Sequence, residues 1–497
     1  MDDRALWRHP YGKERAILVK AICMILTIGV TVAVILASSS GALLRDYSLF
    51  HAIGAFGSSG TLTSDSLSGF MYVQNNNNSN SISVIDLATN TVLRNITVDG
   101  TLQNIKLSED QQTLYIITTH RDSGTIYMLN TTSNEIMNER MSTQVSSQDV
   151  AFFNGTLYLS DAIGGKLLVM NSNGTLMHEI NVGSRPQFID VRPDGQVLYV
   201  TRSGGPISVV DLEQDRVIKE IDSGNMPHHL SFDNNGAKLF VVNAENDTLS
   251  VIDSQKHELI KTIPVGDNPR SVVLNPDETL AYVTNMDSNT VSMIDTQLIE
   301  VVDEIPVGNG PYGIAFSADG GDLLYVSNMR GNEVSVIDTT SNAINTTISL
   351  GSAEPNQIVV RKPTIDILRA EYVNNNGNIS VSFIARVFVE VPDDPEEHQR
   401  GLMFRQHLPW NSGMLFPYNS EEPRSFWMKN TLIPLDMIFV DDNSEIVHII
   451  ENVPPCEQDP CPSYPSEEPA QYVLEVNAGF VQQNAVQVGD LVVSDIP

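Results

Sequence analysis

The sequence predicts a mainly β protein: a seven-bladed β-propeller, then a small α+β or barrel-like domain, behind one N-terminal transmembrane helix or signal segment. Three observations carry this. Two strand-like markers recur in phase through seven copies. Their periodicity stops after Lys362-Pro363, where the composition changes. An uncharged run of 17 residues lies near the start of the chain, behind a basic segment.

In chain order, residues 1–15 read as a basic cytoplasmic tail. Residues 21–37 (AICMILTIGVTVAVILA) carry no charge, and counted from Ala16, with Lys20 snorkelling, the stretch reaches 22 residues. About 20 helical residues span a bilayer core. Arg4, Arg8, Lys13, Arg15 and Lys20 outnumber Asp2, Asp3 and Glu14, which keeps the N-terminus inside and sends the rest out. The length of the 16–37 segment favours a permanent anchor. Ser40-Gly41-Ala42 leaves a cleaved signal open, and the protein would then be secreted. Residues 38–70 are rich in Ser, Gly and Thr, a linker composition.

Two features agree with an outside location. Sequons for glycosylation occur at Asn77, Asn95, Asn130, Asn154, Asn173, Asn246, Asn345 and Asn378. Cys456 and Cys461 fall in the exported part, where a disulfide is chemically allowed and is favoured over metal ligation because no His flanks the pair. Cys23 reads as a small apolar residue of the membrane segment. The net charge of −32 excludes nucleic acid as a general partner, since phosphate binding needs a basic footprint.

The repeats define the body, residues 71–361. Aromatic-headed strands (MYVQN, LYIIT, LYLSD, LYVTR, LFVVN, AYVTN, LYVSN) place Tyr72, Tyr115, Tyr158, Tyr199, Phe240, Tyr282 and Tyr325 at spacings of 41 to 43. A second strand ends each time at Asp86, Asn130, Asn171, Asp211, Asp253, Asp295 or Asp338. Each period holds four strand-like runs broken by Asn, Asp, Gly and Pro turns. A four-stranded sheet with apolar residues on both faces cannot bury them alone. Radial stacking buries both faces, and closing the ring removes the exposed ends. The first copy lacks its innermost strand, and Pro355-Asn356-Gln357-Ile358-Val359-Val360 has no blade of its own. That segment is expected to complete blade 1. The Tyr and Asp markers read as structural, packing between blades and accepting turn hydrogen bonds.

AYVTN, LYVSN, the VSVID strand and the IPVGNGPYGIAFSADG junction resemble YVTN-type β-propeller repeats of surface-layer-associated proteins. The resemblance implies the fold; such repeats serve binding, adhesive and enzymatic proteins alike.

Polar residues recur at the start of each innermost strand: Gln103, Gln148, Gln187, His228, Arg270, Tyr312 and Asn356. In a propeller these rim one mouth of the channel, either as a solvated funnel or as a site for a small polar ligand or a partner side chain. Asn104, Asp149, His229 and Gln357 follow them. His228-His229 is the one pair that invites a metal or catalytic reading. Neighbouring strand residues point to opposite faces, so no metal site is expected there. No cofactor is predicted.

Residues 368–497 read as strands around a short helix begun by DDPEEHQRGLMF. RGLMFR (400–405), GMLF (413–416), SFWMKNTLIPLDMIFVD (425–441), NVPPCEQDPCPSYPS (452–466) and YVLEVNAG (472–479) closely resemble domain of unknown function 192, which brings no settled activity. Arg400, Arg405, Lys429, Asn430, Asp436 and Glu475 are expected either to line one pocket for a zwitterionic or carboxylated ligand or to form a structural hydrogen-bonded network. Met403, Met414, Met428 and Met437 read as core filling in preference to a soft-metal site. The expected function is an extracellular cell-surface binding protein with a second ligand-binding module at the C-terminus. A lactonase- or hydrolase-like extracellular enzyme and a structural surface-layer component are the alternatives.

Overall fold

The computed structural model describes residues 69–76, 80–121, 123–143, 146–172, 174–317, 321–372, 379–392, 395–456 and 460–494. The basic tail, the 16–37 segment, nearly all of the linker and the sequons at Asn77, Asn173 and Asn378 lie outside them. Two compact units are present, one spanning Gly69–Arg361 and one beginning at Lys362.

The first unit is seven four-stranded antiparallel sheets. In blade 6 the order from the innermost strand outward is Pro269–Leu274, Leu280–Asn285, Thr290–Asp295 and Glu300–Pro306. Strand alternation decides where the apolar residues go. Tyr282 and Val291 pack against Leu324 and Val326 of blade 7, while Ala281 and Val283 pack against Phe240 and Val251 of blade 5. Every one of the seven blade interfaces holds such a cluster. Each fully buried aliphatic side chain contributes about 1.5–3 kcal/mol, so no blade is stable away from its neighbours.

Pro355–Arg361 pairs antiparallel with Phe70–Asn75 and completes blade 1. Met71, Val73 and Ile358 then share a core with Tyr325, Val334 and Val336 of blade 7. The ring is closed by the last strand. The repeat markers hold it locally: Tyr199 donates its hydroxyl to the Ser254 carbonyl of the next blade (3.2 Å), and Asp295 Oδ1 accepts from the Gln297 and Leu298 amides (2.8 and 2.7 Å).

The second unit is one seven-stranded sheet. Its order is Ile446–Val453, Leu435–Val440, Ser463–Asn477, Ser412–Trp427, Ile379–Glu390, Thr364–Tyr372 and Leu491–Ser494. The two outer strands meet: the Ile446 amide donates to Asp490 O and the Val492 amide to Ser444 O, both at 2.8 Å. The sheet thus curls into a barrel. One face, with Ile365, Val387, Leu415, Ile438, Leu474 and the helix Phe480–Asn484, forms the inner core. The opposite face, with Met414, Phe416, Met437, Phe439 and Val473, is covered by Leu402, Leu408 and Met428. The helix Pro395–Arg400 is the short one anticipated before RGLMFR.

Candidate functional site at the propeller mouth

Each innermost strand breaks register once, and the break falls on the polar positions. In blade 6, for example, Pro269 pairs with Asn285 and Val272 with Val283, so Arg270 and Ser271 together face Thr284. A bulge of this kind re-aims side chains. It changes the geometry of the histidine pair. His228 and His229 do not diverge as on a regular strand: both rings meet Phe188 of blade 4, at centroid distances of 4.4 and 5.7 Å.

In blades 3, 6 and 7 the hydroxyl facing the bulge stitches neighbouring blades, while Thr118 of blade 2 and Thr201 of blade 4 donate within their own blade. Ser160 donates to the Gln187 carbonyl (2.8 Å), Thr284 to the Tyr312 carbonyl (2.7 Å) and Ser327 to the Asn356 carbonyl. Gln74 reaches the Gln103 carbonyl through its amide (3.4 Å). In blade 5 the corresponding residue is Val242, which has nothing to donate. There His228 Nδ1 donates to the Arg270 carbonyl at 2.8 Å. A carbonyl only accepts, so the proton sits on Nδ1 and Nε2 faces the Tyr312 hydroxyl, at 3.4 Å. Burial, then the Arg270 charge, pushes His228 down to about 3; burial and then Lys106 push His229 down to about 4. Both are neutral at pH 7.

Arg270 places its guanidinium 5.6 Å from the centre of the Tyr312 ring. Burial raises the Tyr312 pKa, with Arg270 and Asn356 opposing. Among the described residues, Arg270 Nε, Gln187 Oε1 and Asn356 Oδ1 are enclosed at this end without a protein partner, as are Gln74 Oε1, Ser147 Oγ and Ser271 Oγ of the same bulges. Gln103 is instead engaged with Thr119 Oγ1 (2.9 Å), and Gln148 is half-buried.

Deeper in the channel lies a charged layer of which sequence reasoning named Asp149 but not Lys106 or Asp190. Lys106 of blade 2 reaches across to blade 4, 3.4 Å from the Ile189 carbonyl and 3.7 Å from Asp190. Asp149 accepts from Asn104 Nδ2 (2.7 Å) and from the Ile189 amide (2.9 Å). Burial opposes the Lys106 charge, but Asp190 and Asp149 outweigh it and raise its pKa. Burial likewise raises both carboxyls, with Lys106 opposing. A signal was present: Lys106 and Asp190 occupy the strand position that holds Ala151, Ser231, Val273, Ala315 and Val359 in the other blades.

The C-terminal candidates do not assemble into one pocket. Asp436 is fully buried on the inner face, where it accepts from the Asn452 and Val481 amides (2.8 and 2.9 Å). It fixes the barrel. Glu475 pairs in register with Met437, the neighbour of Asp436, and so takes the opposite face. Arg405 is held by Glu390 (2.6 Å), Arg400 is exposed, and Lys429 lies 5.4 Å from the Trp427 ring. Asn430 is exposed and receives the Phe404 amide on its carbonyl (2.8 Å). Cys456 and Cys461 form a disulfide. Asn95, Asn154, Asn246 and Asn345 are exposed, while the Asn130 carboxamide oxygen holds a turn through the Thr132 and Ser133 amides.

The DUF192 family profile, described as "Uncharacterized ACR", matches residues 378–494, and that of DUF5074, a domain of unknown function, matches residues 120–358. No curated protein matches the chain. Among solved structures, a functionally unknown protein from Desulfotomaculum acetoxidans is similar at 16% identity and a TM-score of 0.52, covering 59% of this chain and 99% of that one. A candidate 6-phosphogluconolactonase from Bacteroides fragilis is similar at 14% identity and a TM-score of 0.50, covering 61% and 100%. One from Bacteroides uniformis stands at 16% and 0.50, covering 59% and 100%. These likenesses establish the fold.

Proposed function

Starting from a seven-bladed propeller joined to a DUF192 domain, we propose that this chain is an extracellular binding protein, held at the cell surface by the 16–37 segment, whose propeller mouth takes a small polar ligand or a partner side chain. The observation that carries the reading is the set of unpartnered atoms at the mouth. Arg270 Nε offers a donor; Gln187 Oε1 and Asn356 Oδ1 offer acceptors. A buried polar group left unsatisfied costs about 1–3 kcal/mol, so a molecule that meets all three gains directly. A hydroxylated carboxylate has that complement, with the anion on Arg270 and hydroxyls on the two amides.

The test is a thermal-shift and calorimetric screen of sugar acids and other hydroxycarboxylates against the exported chain. Binding by the wild type that is lost in Arg270→Ala supports the reading; equal responses of the two proteins exclude the mouth. The same preparations serve for lactone hydrolysis. A turnover abolished in an Arg270→Ala/His228→Ala protein that keeps its fold would instead favour a lactonase-like enzyme. Membrane fractionation with N-terminal sequencing tests the anchor against a cleaved signal.

A further inference from the structure

The C-terminal domain contains a second buried group without a partner, independent of the mouth. Glu475 is only 5% exposed. Among the described residues its side chain makes no hydrogen bond or ion pair, and its carboxylate is not one of the fully enclosed groups, so it keeps an edge to solvent. Register fixes its surroundings. Met414 and Met437 lie directly opposite it on the two flanking strands. Phe416 and Phe439 both lie opposite Val473, two residues back along the same face. At the other end Asn477 donates to the Leu408 and Pro409 carbonyls (2.9 and 3.0 Å) and pins the covering loop. Of the cationic groups near this face, Arg405 holds both oxygens of Glu390, Lys429 lies beside Trp427, and the His398 ring sits against Phe416 and Tyr418.

We propose that Glu475 is the acidic anchor of a ligand site that takes an organic cation, an alkylammonium or similar amine-bearing group, between Met414 and Met437. A carboxylate walled by thioethers and aromatic side chains keeps little of the water that would stabilise its charge, so a cation brought beside it is attracted strongly. Phe416 and Phe439 supply aromatic side chains on the same face and the two methionines adaptable, polarisable walls, which suit a weakly hydrated organic cation. A calcium or magnesium ion needs several oxygen ligands, and no cluster of three acidic, His or Cys residues among the described residues supplies them. An anion would meet only repulsion. The cover is tied by the Phe404 amide to the Asn430 carbonyl. Both residues have positive φ, 65° and 56°, a strained backbone for a phenylalanine.

The experiment compares n-butylammonium with its neutral counterpart n-butanol on the full chain at pH 8, by calorimetry and thermal shift. n-Butylammonium is expected to bind and to raise Tm, with n-butanol at least tenfold weaker. Glu475→Gln, which keeps the shape and removes the charge, is expected to fold and to lose at least tenfold in n-butylammonium affinity. Equal binding of the two probes, unchanged affinity in Glu475→Gln, or no binding of n-butylammonium to the wild type at millimolar concentration overturns the proposal.

Discussion

His228 donates its Nδ1 proton to the main-chain carbonyl of Arg270, one blade away, and so makes the bond that Thr284 makes between blades 6 and 7. A residue that looked catalytic in the sequence is part of the ring's stitching. His228→Ala should lower stability by about 1–2 kcal/mol in urea unfolding, because a carbonyl loses its donor. Adding Val242→Thr places a hydroxyl at the position that blades 3, 6 and 7 use for the cross-blade bond. The double variant should recover much of the loss; no recovery would mean that His228 acts otherwise.

Ring closure is equally open to test. Ile358 is 4% exposed and joins blade 7 to blade 1 through Val73, its partner in register. Ile358→Ala should cost about 2–5 kcal/mol. A comparable truncation at the exposed Ile344 of an outer strand should cost far less. Similar losses at the two sites would contradict closure by the last strand.

Acid should weaken the propeller through its histidines. His228 and His229 are neutral when folded, held down to about 3 and about 4, whereas an unfolded histidine titrates near 6.5. Between these values the unfolded state binds more protons, so stability falls as pH drops below about 6.5, by up to about 1.4 kcal/mol per pH unit per histidine. The raised Asp149 and Asp190 act in the opposite sense, so the comparison is with His229→Gln. Its stability should decline less steeply from pH 6.5 to 4.5 than that of the wild type.

Glu475 gives the C-terminal domain the opposite dependence. Burial pushes its pKa up to about 8, against about 4.5 when unfolded. In that window the folded state binds the extra proton, so stability declines as pH rises and levels off above about 8. Glu475→Gln should be the more stable protein at pH 8, with the difference shrinking toward pH 5. Parallel profiles for the two proteins would show that the acid is not buried uncharged.

The Cys456–Cys461 disulfide closes a very short loop, so its contribution is modest. The loop-entropy relation gives about 2 kcal/mol. Reduction, or a Cys456→Ser/Cys461→Ser pair, should lower the denaturant midpoint of the C-terminal domain by that order and leave the propeller transition in place.

Much of the fold was legible because it is written in neighbouring residues. The Tyr and Asp markers set the blade count, and the surplus strand at Pro355–Val360 announced its own use, since an incomplete first repeat needs a donor. The site was legible only in part. The recurring polar positions were visible, as was their place at the starts of the innermost strands. The bulge that turns both histidines toward Phe188 was not, because it depends on pairing with a second strand. Lys106 and Asp190 stood out as charges among Ala, Ser and Val, yet only the ring brings blade 2 opposite blade 4.

The C-terminal domain shows where sequence stops. Asp436 and Glu475 sit in equally characteristic motifs, but one faces the barrel core and caps backbone amides while the other lies on the opposite face under the outer cover. Periodicity and composition determined how many sheets form and how they close, since burying apolar faces depends on short-range spacing. Which charges meet, and which stay alone, was decided by the register of strands far apart in the chain.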